Sequence, residues 1–115
     1  MIEIAKRATA CKGWRWMPGM CFGELIGIDV VMRRRVDAYM DAPPVGAIPI
    51  LDDPATLGCM LALVRQAWGR PSGTVRRWSV DGWYWHADYD DEHVSGKRLY
   101  PTEAEALVAA LEAAP

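Results

Sequence analysis

The pattern of apolar and polar positions predicts three helices, and the central one has the clearest boundaries. Asp53 is a favourable N-cap, and Pro54 at the first helical position loses no hydrogen bond because its N–H would be unpaired there. Gly69 then ends the helix. Its apolar stripe comprises Leu57, Met60, Leu61, Val64 and Trp68. We expect Leu61 and Val64, at the centre of this stripe, to be almost fully buried against a sheet.

Two further helices are predicted near the ends of the sequence. Within the first eleven residues, Ile4, Ala8 and Cys11 share one helical face. Thr102 and Glu105 form a capping box, in which each side chain satisfies the free backbone N–H of the other residue. The apolar face of this last helix comprises Ala104, Leu107, Val108 and Leu111.

Alternating apolar and polar residues predict a β-hairpin between the second and third helices. Its strands are Thr74–Val80 and Trp83–Tyr89, joined by Asp81-Gly82, a dipeptide favoured in type I′ turns. The residues from Val94 to Tyr100 are expected to return as a short third strand. The second strand directs two sets of side chains to opposite faces: Trp83, Trp85 and Ala87 on one, and Tyr84, His86 and Asp88 on the other.

The rest of the chain has a weaker pattern. Residues 21–41 combine a helical stripe with β-branched residues, and three glycines favour an extended structure: Gly19, Gly23 and Gly27. Residues 41–53 contain three prolines and predict a connection without a regular element. Pro18-Gly19 predicts a turn after the extended segment that contains Trp14 and Trp16. Together the elements predict an α+β fold, with about three helices packed on a small antiparallel sheet.

Length and composition place the chain among ordinary globular domains. Its 115 residues, 51% of them hydrophobic, suffice for a single domain over 1–115. No apolar run is long enough to span a membrane, and charged residues near the N-terminus replace the apolar stretch of a signal peptide. We therefore expect a cytoplasmic protein that has no contact with membranes. The net charge of −2 provides no general attraction to phosphate backbones.

The cysteines predict neither a disulfide framework nor a zinc site. Cys11, Cys21 and Cys59 are odd in number and far apart in sequence, and they contain no Cys-x-x-Cys pair. We expect three reduced thiols that pack as small apolar side chains.

One acidic segment, from His86 to His93, contains residue types that bind metal ions. Its two imidazoles and four carboxylates resemble ligands of zinc, manganese or calcium, but the spacing matches neither a calcium loop nor His-Glu-x-x-His. A solvated acidic loop is the simpler interpretation. We predict no metal at His86, Asp88, Asp90 and His93, and no cofactor.

No catalytic motif is present in the sequence. A nucleophile elbow, a P-loop and a dinucleotide-binding glycine motif are all absent, and no serine lies in a recognisable catalytic arrangement. We therefore predict that the protein is not an enzyme and has no catalytic residues.

The aromatic and basic residues point to binding instead. Six tryptophans exceed what one small core usually hides, and tryptophan and arginine dominate protein–protein hot spots. The predicted interaction surface comprises Trp78, Tyr84, His86, Arg76 and Arg77. We expect contact with a host or phage protein, or self-association through the 74–89 hairpin. The alternative is a nucleic-acid-associated protein whose arginine clusters follow phosphates, although the acidic net charge makes nucleic acid a less favoured partner.

Three segments together resemble a known family. They are Gly13-Trp14-Arg15-Trp16-Met17-Pro18-Gly19-Met20, Leu51-Asp52-Asp53-Pro54-Ala55-Thr56-Leu57-Gly58-Cys59 and Pro101-Thr102-Glu103-Ala104-Glu105-Ala106. In this order, with the hairpin between the second and third, they are similar to the small phage and prophage proteins of the phage α-β-α sandwich domain. The resemblance implies helices that cover a sheet, and a phage or prophage product made in the bacterial cytoplasm. It implies no catalytic residue.

Overall fold

A computed structural model describes residues 1–39, 42–87 and 98–115 of the chain. The described elements are α1 (Ile2–Thr9), β1 (Cys21–Ile26), β2 (Asp29–Arg35), β3 (Ala47–Pro49), α2 (Pro54–Trp68), β4 (Thr74–Trp78), β5 (Gly82–His86) and α3 (Glu103–Ala113). The α+β class is confirmed. The strands form two small antiparallel sheets rather than one, with the orders β2-β1-β3 and β4-β5.

The predicted N-caps at Asp53 and Thr102 and the predicted helix end at Gly69 are confirmed, whereas the reciprocal bond from the Thr102 N–H to the Glu105 side chain stays a prediction. The Asp53 carboxylate accepts a hydrogen bond from the Thr56 N–H at 3.0 Å, and Gly69 ends α2 with a left-handed φ of 64°. At the start of α3, the Thr102 hydroxyl accepts a bond from the Glu105 N–H at 3.1 Å. These side chains satisfy backbone donors that the first turn of a helix leaves unpaired. Local sequence chemistry therefore determines where α2 and α3 begin.

Residues 21–41 contain a β-hairpin, as the extended interpretation predicts. β1 and β2 pair in antiparallel fashion, and the Gly27–Ile28 turn joins them. The prediction that 41–53 contains no regular element is wrong, because β3 pairs with β1 from Phe22 to Glu24. A three-residue strand has too little sequence pattern to be recognised without its partner. Ile48 and Pro49 within it are buried, so β3 contributes to the core.

The second hairpin is confirmed, but its turn differs from the prediction. Trp78 pairs with Gly82, so the loop comprises residues 79–81 and Asp81-Gly82 does not form a two-residue turn. Ser79 has a φ of 51° and Gly82 a φ of 141°. Of the predicted third strand, only its last three residues are described, and Tyr100 forms an isolated antiparallel bridge with Trp83.

The core lies between the helices and the sheets, and one predicted core position is wrong. Val64 is fully buried as predicted, whereas Leu61 is only half-buried. Leu63, which is 1% exposed, lies inside instead. The helix α2 packs chiefly on α3, and Trp68 Nε1 donates a 2.8 Å hydrogen bond to the Ala110 carbonyl. The buried face of α2 is therefore turned toward α3. It differs from the face that was predicted to pack against a sheet.

In residues 1–39, 42–87 and 98–115, every helix is too short or too polar to cross a bilayer.

Candidate interaction surface

The β4–β5 hairpin brings together four of the five residues predicted to form an interaction surface. Arg76 lies opposite Tyr84 in the antiparallel register, so the two share a face of the sheet. Trp78 and His86 fall on the same face by alternation. Arg77 lies opposite Trp83 and belongs to the other face.

The five residues of the predicted surface differ in how far they are exposed to solvent. Tyr84 is 5% exposed and His86 is 1% exposed, so both are buried in the folded chain, and their part in a partner contact stays a prediction. Trp78 is exposed, and Arg76 is half-buried. On the opposite face of the hairpin, Trp85 packs on Trp68 of α2 with ring centroids 6.2 Å apart.

His86 has a neighbour that fits a packing role. Its ring lies edge-on to that of Tyr84 at 6.1 Å, and neither imidazole nitrogen has a hydrogen-bond partner among the residues described. The other predicted metal positions, Asp88, Asp90 and His93, lie outside the described residues. Within the described ranges, no group of three or more His, Cys, Asp or Glu side chains is arranged to hold a metal ion.

The β1–β2 hairpin exposes a group of large apolar side chains that sequence reasoning missed. Ile26 is 65% exposed, Ile28 87% and Met32 59%; we call these three the hairpin patch. Single exposed apolar residues are ordinary, whereas these three lie on one hairpin, with Ile28 in its turn. Each has a chemistry that a sequence pattern assigns to the core, so no sequence signal distinguishes them.

Backbone geometry gives this hairpin a defined shape. Gly27 has a φ of 65° at the first turn position, where a type II′ turn requires a positive value. Further along, β2 has Met32 and Arg33 where β1 has only Gly23, which makes a β-bulge with Met32 at a φ of 56°. The bulge limits the regular part of β2 beside the turn to Asp29–Val31.

Five of the described arginines are engaged in contacts within the chain. Arg35 forms a bidentate pair with Asp53, and Arg34 lies 5.5 Å from the centre of the Phe22 ring. Other arginines are held by Glu112, the Gly73 carbonyl and the Tyr100 ring: Arg7, Arg65 and Arg98 respectively. These contacts fix guanidinium groups in separate places. They do not favour a continuous groove that follows phosphates.

The Arg35–Asp53 pair ties the end of β2 to the start of α2. The two side chains meet at 2.7 and 2.8 Å, and Arg35 also donates to the Gly19 carbonyl at 2.9 Å. The Thr56 hydroxyl donates to Asp53 at 2.9 Å and accepts from the Cys21 N–H at 2.8 Å. Hydrogen bonds from Arg35 hold the pKa of Asp53 well below its usual range. This network anchors the base of the hairpin, and Ile26 and Ile28 lie at its far end.

Replacing Asp53 by alanine is expected to lower the free energy of unfolding by about 0.5–2 kcal/mol, since α2 loses its N-cap. Because the folded-state pKa of Asp53 is lowered, its ionic contribution is present above the unfolded pKa of about 3.9 and is lost as the pH falls below it. Urea unfolding at pH 7 and pH 3 measures both effects. Asp52→Ala, at the exposed neighbouring position, is the control. An equal loss in both variants contradicts the assignment.

The cysteines are half-buried free thiols in the structure. Burial raises the pKa of Cys11, Cys21 and Cys59, which reduces the thiolate fraction that a nucleophile needs. Cys11 lines an open cavity of about 610 Å³, together with the Arg7–Glu112 pair. The arrangement there is that of a packed thiol beside a surface ion pair.

Comparisons with known proteins found no relative of this chain. No protein-family model, no curated protein and no solved structure matches the chain. The functional argument therefore depends on the chain's own residues.

Proposed function

We propose that this protein is a non-enzymatic phage or prophage accessory protein that acts through protein–protein contacts made by the β1–β2 hairpin. The phage assignment derives from the resemblance of the three sequence segments. The contact surface derives from one observation, which is the exposure of Ile26, Ile28 and Met32 on a single hairpin. Removing exposed apolar side chains from water at a partner's surface is favourable.

The surroundings of the hairpin patch also fit a protein partner. Arg33 and Arg34 follow Met32 along β2 and are exposed, which gives the apolar side chains a charged margin. Interfaces commonly combine apolar anchors with a polar rim, and arginine is enriched in them. The base of the hairpin is held by Arg35 and Asp53, so the patch is presented on an anchored element. A preorganised surface loses less conformational entropy on binding.

The second exposed hairpin end, formed by Trp78 and Val80 of the β4–β5 hairpin, provides a matched comparison. Val80 is 86% exposed, nearly the same as Ile28 at 87%, and both are aliphatic residues in or beside a turn. The proposal assigns binding to Ile28 and not to Val80. Substitutions at these two positions therefore distinguish specific binding from non-specific hydrophobic association.

Ile28→Ser is expected to reduce recovery of a bound protein from producing cells by about tenfold, because anchor side chains in an interface dominate its affinity. Val80→Ser should leave recovery unchanged. Both variants should keep the wild-type melting temperature, since neither side chain is in the core. The measurement is quantitative purification of the tagged chain followed by mass spectrometry. Equal recovery by the two variants contradicts the proposal.

A further inference from the structure

We infer that Arg35 and Thr56 are positioning residues for the contact surface: they hold the β1–β2 hairpin at one angle to α2 and so determine the direction in which Ile28 meets a partner. The inference rests on the proposed function, because it concerns how the same hairpin is presented. Neither side chain needs to touch the partner. Both act at the base of the hairpin, whereas Ile28 lies in the turn at its far end.

Arg35 joins the outer strand of the hairpin to α2. β2 lies at the edge of its sheet and pairs with β1 alone among the described strands. Within residues 1–39, 42–87 and 98–115, Arg35 makes the only side-chain hydrogen bonds between β2 and residues outside the hairpin. Two of them go to the two carboxylate oxygens of Asp53, the N-cap of α2, and the third goes to the Gly19 carbonyl. Because the pairing with Asp53 is bidentate, it restricts the angle between strand and helix as well as the distance.

Thr56 joins β1 to the same turn of α2. It is fully buried, and its hydroxyl accepts a hydrogen bond from the Cys21 N–H at 2.8 Å and donates one to Asp53 at 2.9 Å. Cys21 and Arg35 are partners in the antiparallel register, so the two strands are attached to α2 at the same level. A single attachment would let the hairpin pivot about it, whereas two attachments side by side oppose that motion.

The far half of the hairpin has fewer supports than its base. β3 pairs with β1 only as far as Glu24, so residues 25–31 have no strand partner outside the hairpin in the described part of the chain. Leu25 and Val30 are partly buried against the core. Beyond that packing, the orientation of this half depends on how firmly the base is held.

The length of the hairpin amplifies a change at its base. Ile28 lies about 20 Å from Arg35 along β2, at about 3.3 Å per residue of an extended strand. A tilt of about 10° at the base therefore displaces Ile28 by about 3–4 Å, roughly the length of one strand residue. A surface held in its bound orientation loses less conformational entropy on binding. Loosening the base thus weakens the contact without removing any atom that touches the partner.

Conservative variants test the two attachments separately. Arg35→Lys keeps the charge but cannot make the bidentate pair, and Thr56→Val nearly keeps the shape but removes the hydroxyl. Thr56→Ser retains the hydroxyl and is the matched control. Arg70→Lys, at an exposed arginine after α2, controls for the exchange of arginine for lysine. Residual dipolar couplings of backbone amides report the orientation of the hairpin relative to α2, and recovery of the bound protein from producing cells reports the contact.

Both attachments are expected to affect orientation and binding together. Arg35→Lys and Thr56→Val should each lower the couplings of residues 27–31 by about a third or more and leave those of α2 unchanged, because the hairpin then samples several orientations. Each should also lower recovery by about threefold, less than the loss expected for Ile28→Ser. Thr56→Ser and Arg70→Lys should keep wild-type values in both measurements. If Thr56→Val does not fold, Arg35→Lys alone decides, since its side chain is at the surface.

The outcomes separate this inference from the proposed function. Unchanged couplings in Arg35→Lys overturn the inference. Reduced couplings with wild-type recovery overturn it as well, because the orientation of the hairpin then has no effect on the contact. In either case, a loss of recovery in Ile28→Ser leaves the proposed function standing. If Ile28→Ser has no effect on recovery, both fail.

Discussion

Replacing Leu63 by alanine is expected to lower the free energy of unfolding by about 2–5 kcal/mol, because the side chain is buried between α2 and the rest of the core. The loss combines the transfer free energy of the deleted atoms with the cost of the cavity left behind. Equilibrium unfolding in urea, monitored by tryptophan fluorescence, measures it. The slope with denaturant should stay unchanged, since the same surface becomes exposed on unfolding.

Leu61→Ala is the matched control for this measurement. It makes the same chemical change in the same helix, two residues away, at a half-buried position. We expect it to cost about 1 kcal/mol, the centre of the distribution for point substitutions. If Leu61→Ala proves more costly than Leu63→Ala, the orientation of α2 about its axis described above is wrong.

Phe22→Ala is expected to destabilise the protein by about 3–5 kcal/mol, the range for loss of a fully buried aromatic ring. Phe22 joins several parts of the fold. Its ring meets Trp16 edge-on at 6.1 Å, and Arg34 lies over its face. Such aromatic pairs and cation–π contacts add to the area that the ring buries. Thermal unfolding should show a correspondingly large decrease in melting temperature.

Tyr39→Ala provides the comparison for Phe22→Ala. Tyr39 is almost entirely exposed, so removal of its ring should change the free energy of unfolding by no more than about 0.5 kcal/mol. A loss below about 1 kcal/mol in Phe22→Ala would mean that the three-stranded sheet does not close over this ring. An equal loss in both variants would contradict the burial difference between them.

The helices could be predicted from sequence because their signals are local. Asp53, Pro54 and Gly69 act within one turn of the helix ends, and Thr102 does the same for α3. Such caps depend on neighbours three or four residues away, so the sequence contains the necessary information. The rotation of α2 about its axis was less predictable. It depends on α3, whose position the stripe of α2 does not reveal.

The missed strand and the wrong turn have a common cause. β3 exists because Gly23 pairs with Ile48, a partner 25 residues away that no local pattern specifies. The second hairpin ends in a loop at residues 79–81 because the register of β4 and β5 pairs Trp78 with Gly82. Register is determined by the packing of both faces, and the Asp81-Gly82 dipeptide contributes only a local preference.

Sequence could predict the candidate surface only in part. The alternation of side chains along a strand assigns each residue to a face of the sheet, but it does not show how deeply that face is buried. It placed Tyr84 and His86 on the face opposite Trp83 and Trp85, yet both are buried in the folded chain. It gave no indication of Ile26, Ile28 and Met32, whose apolar character suggests a core position. Only the three-dimensional arrangement shows that these side chains lie outside.

Site-specific photo-crosslinking in producing cells tests most directly whether the β1–β2 hairpin is the contact surface. A photoreactive residue replaces Ile28 in one variant and Val80 in another, at two positions of nearly equal exposure. We predict a discrete crosslinked species from position 28 and none from position 80. Crosslinking from position 80 alone, or the same products from both positions, would contradict the assignment of the contact surface to this hairpin.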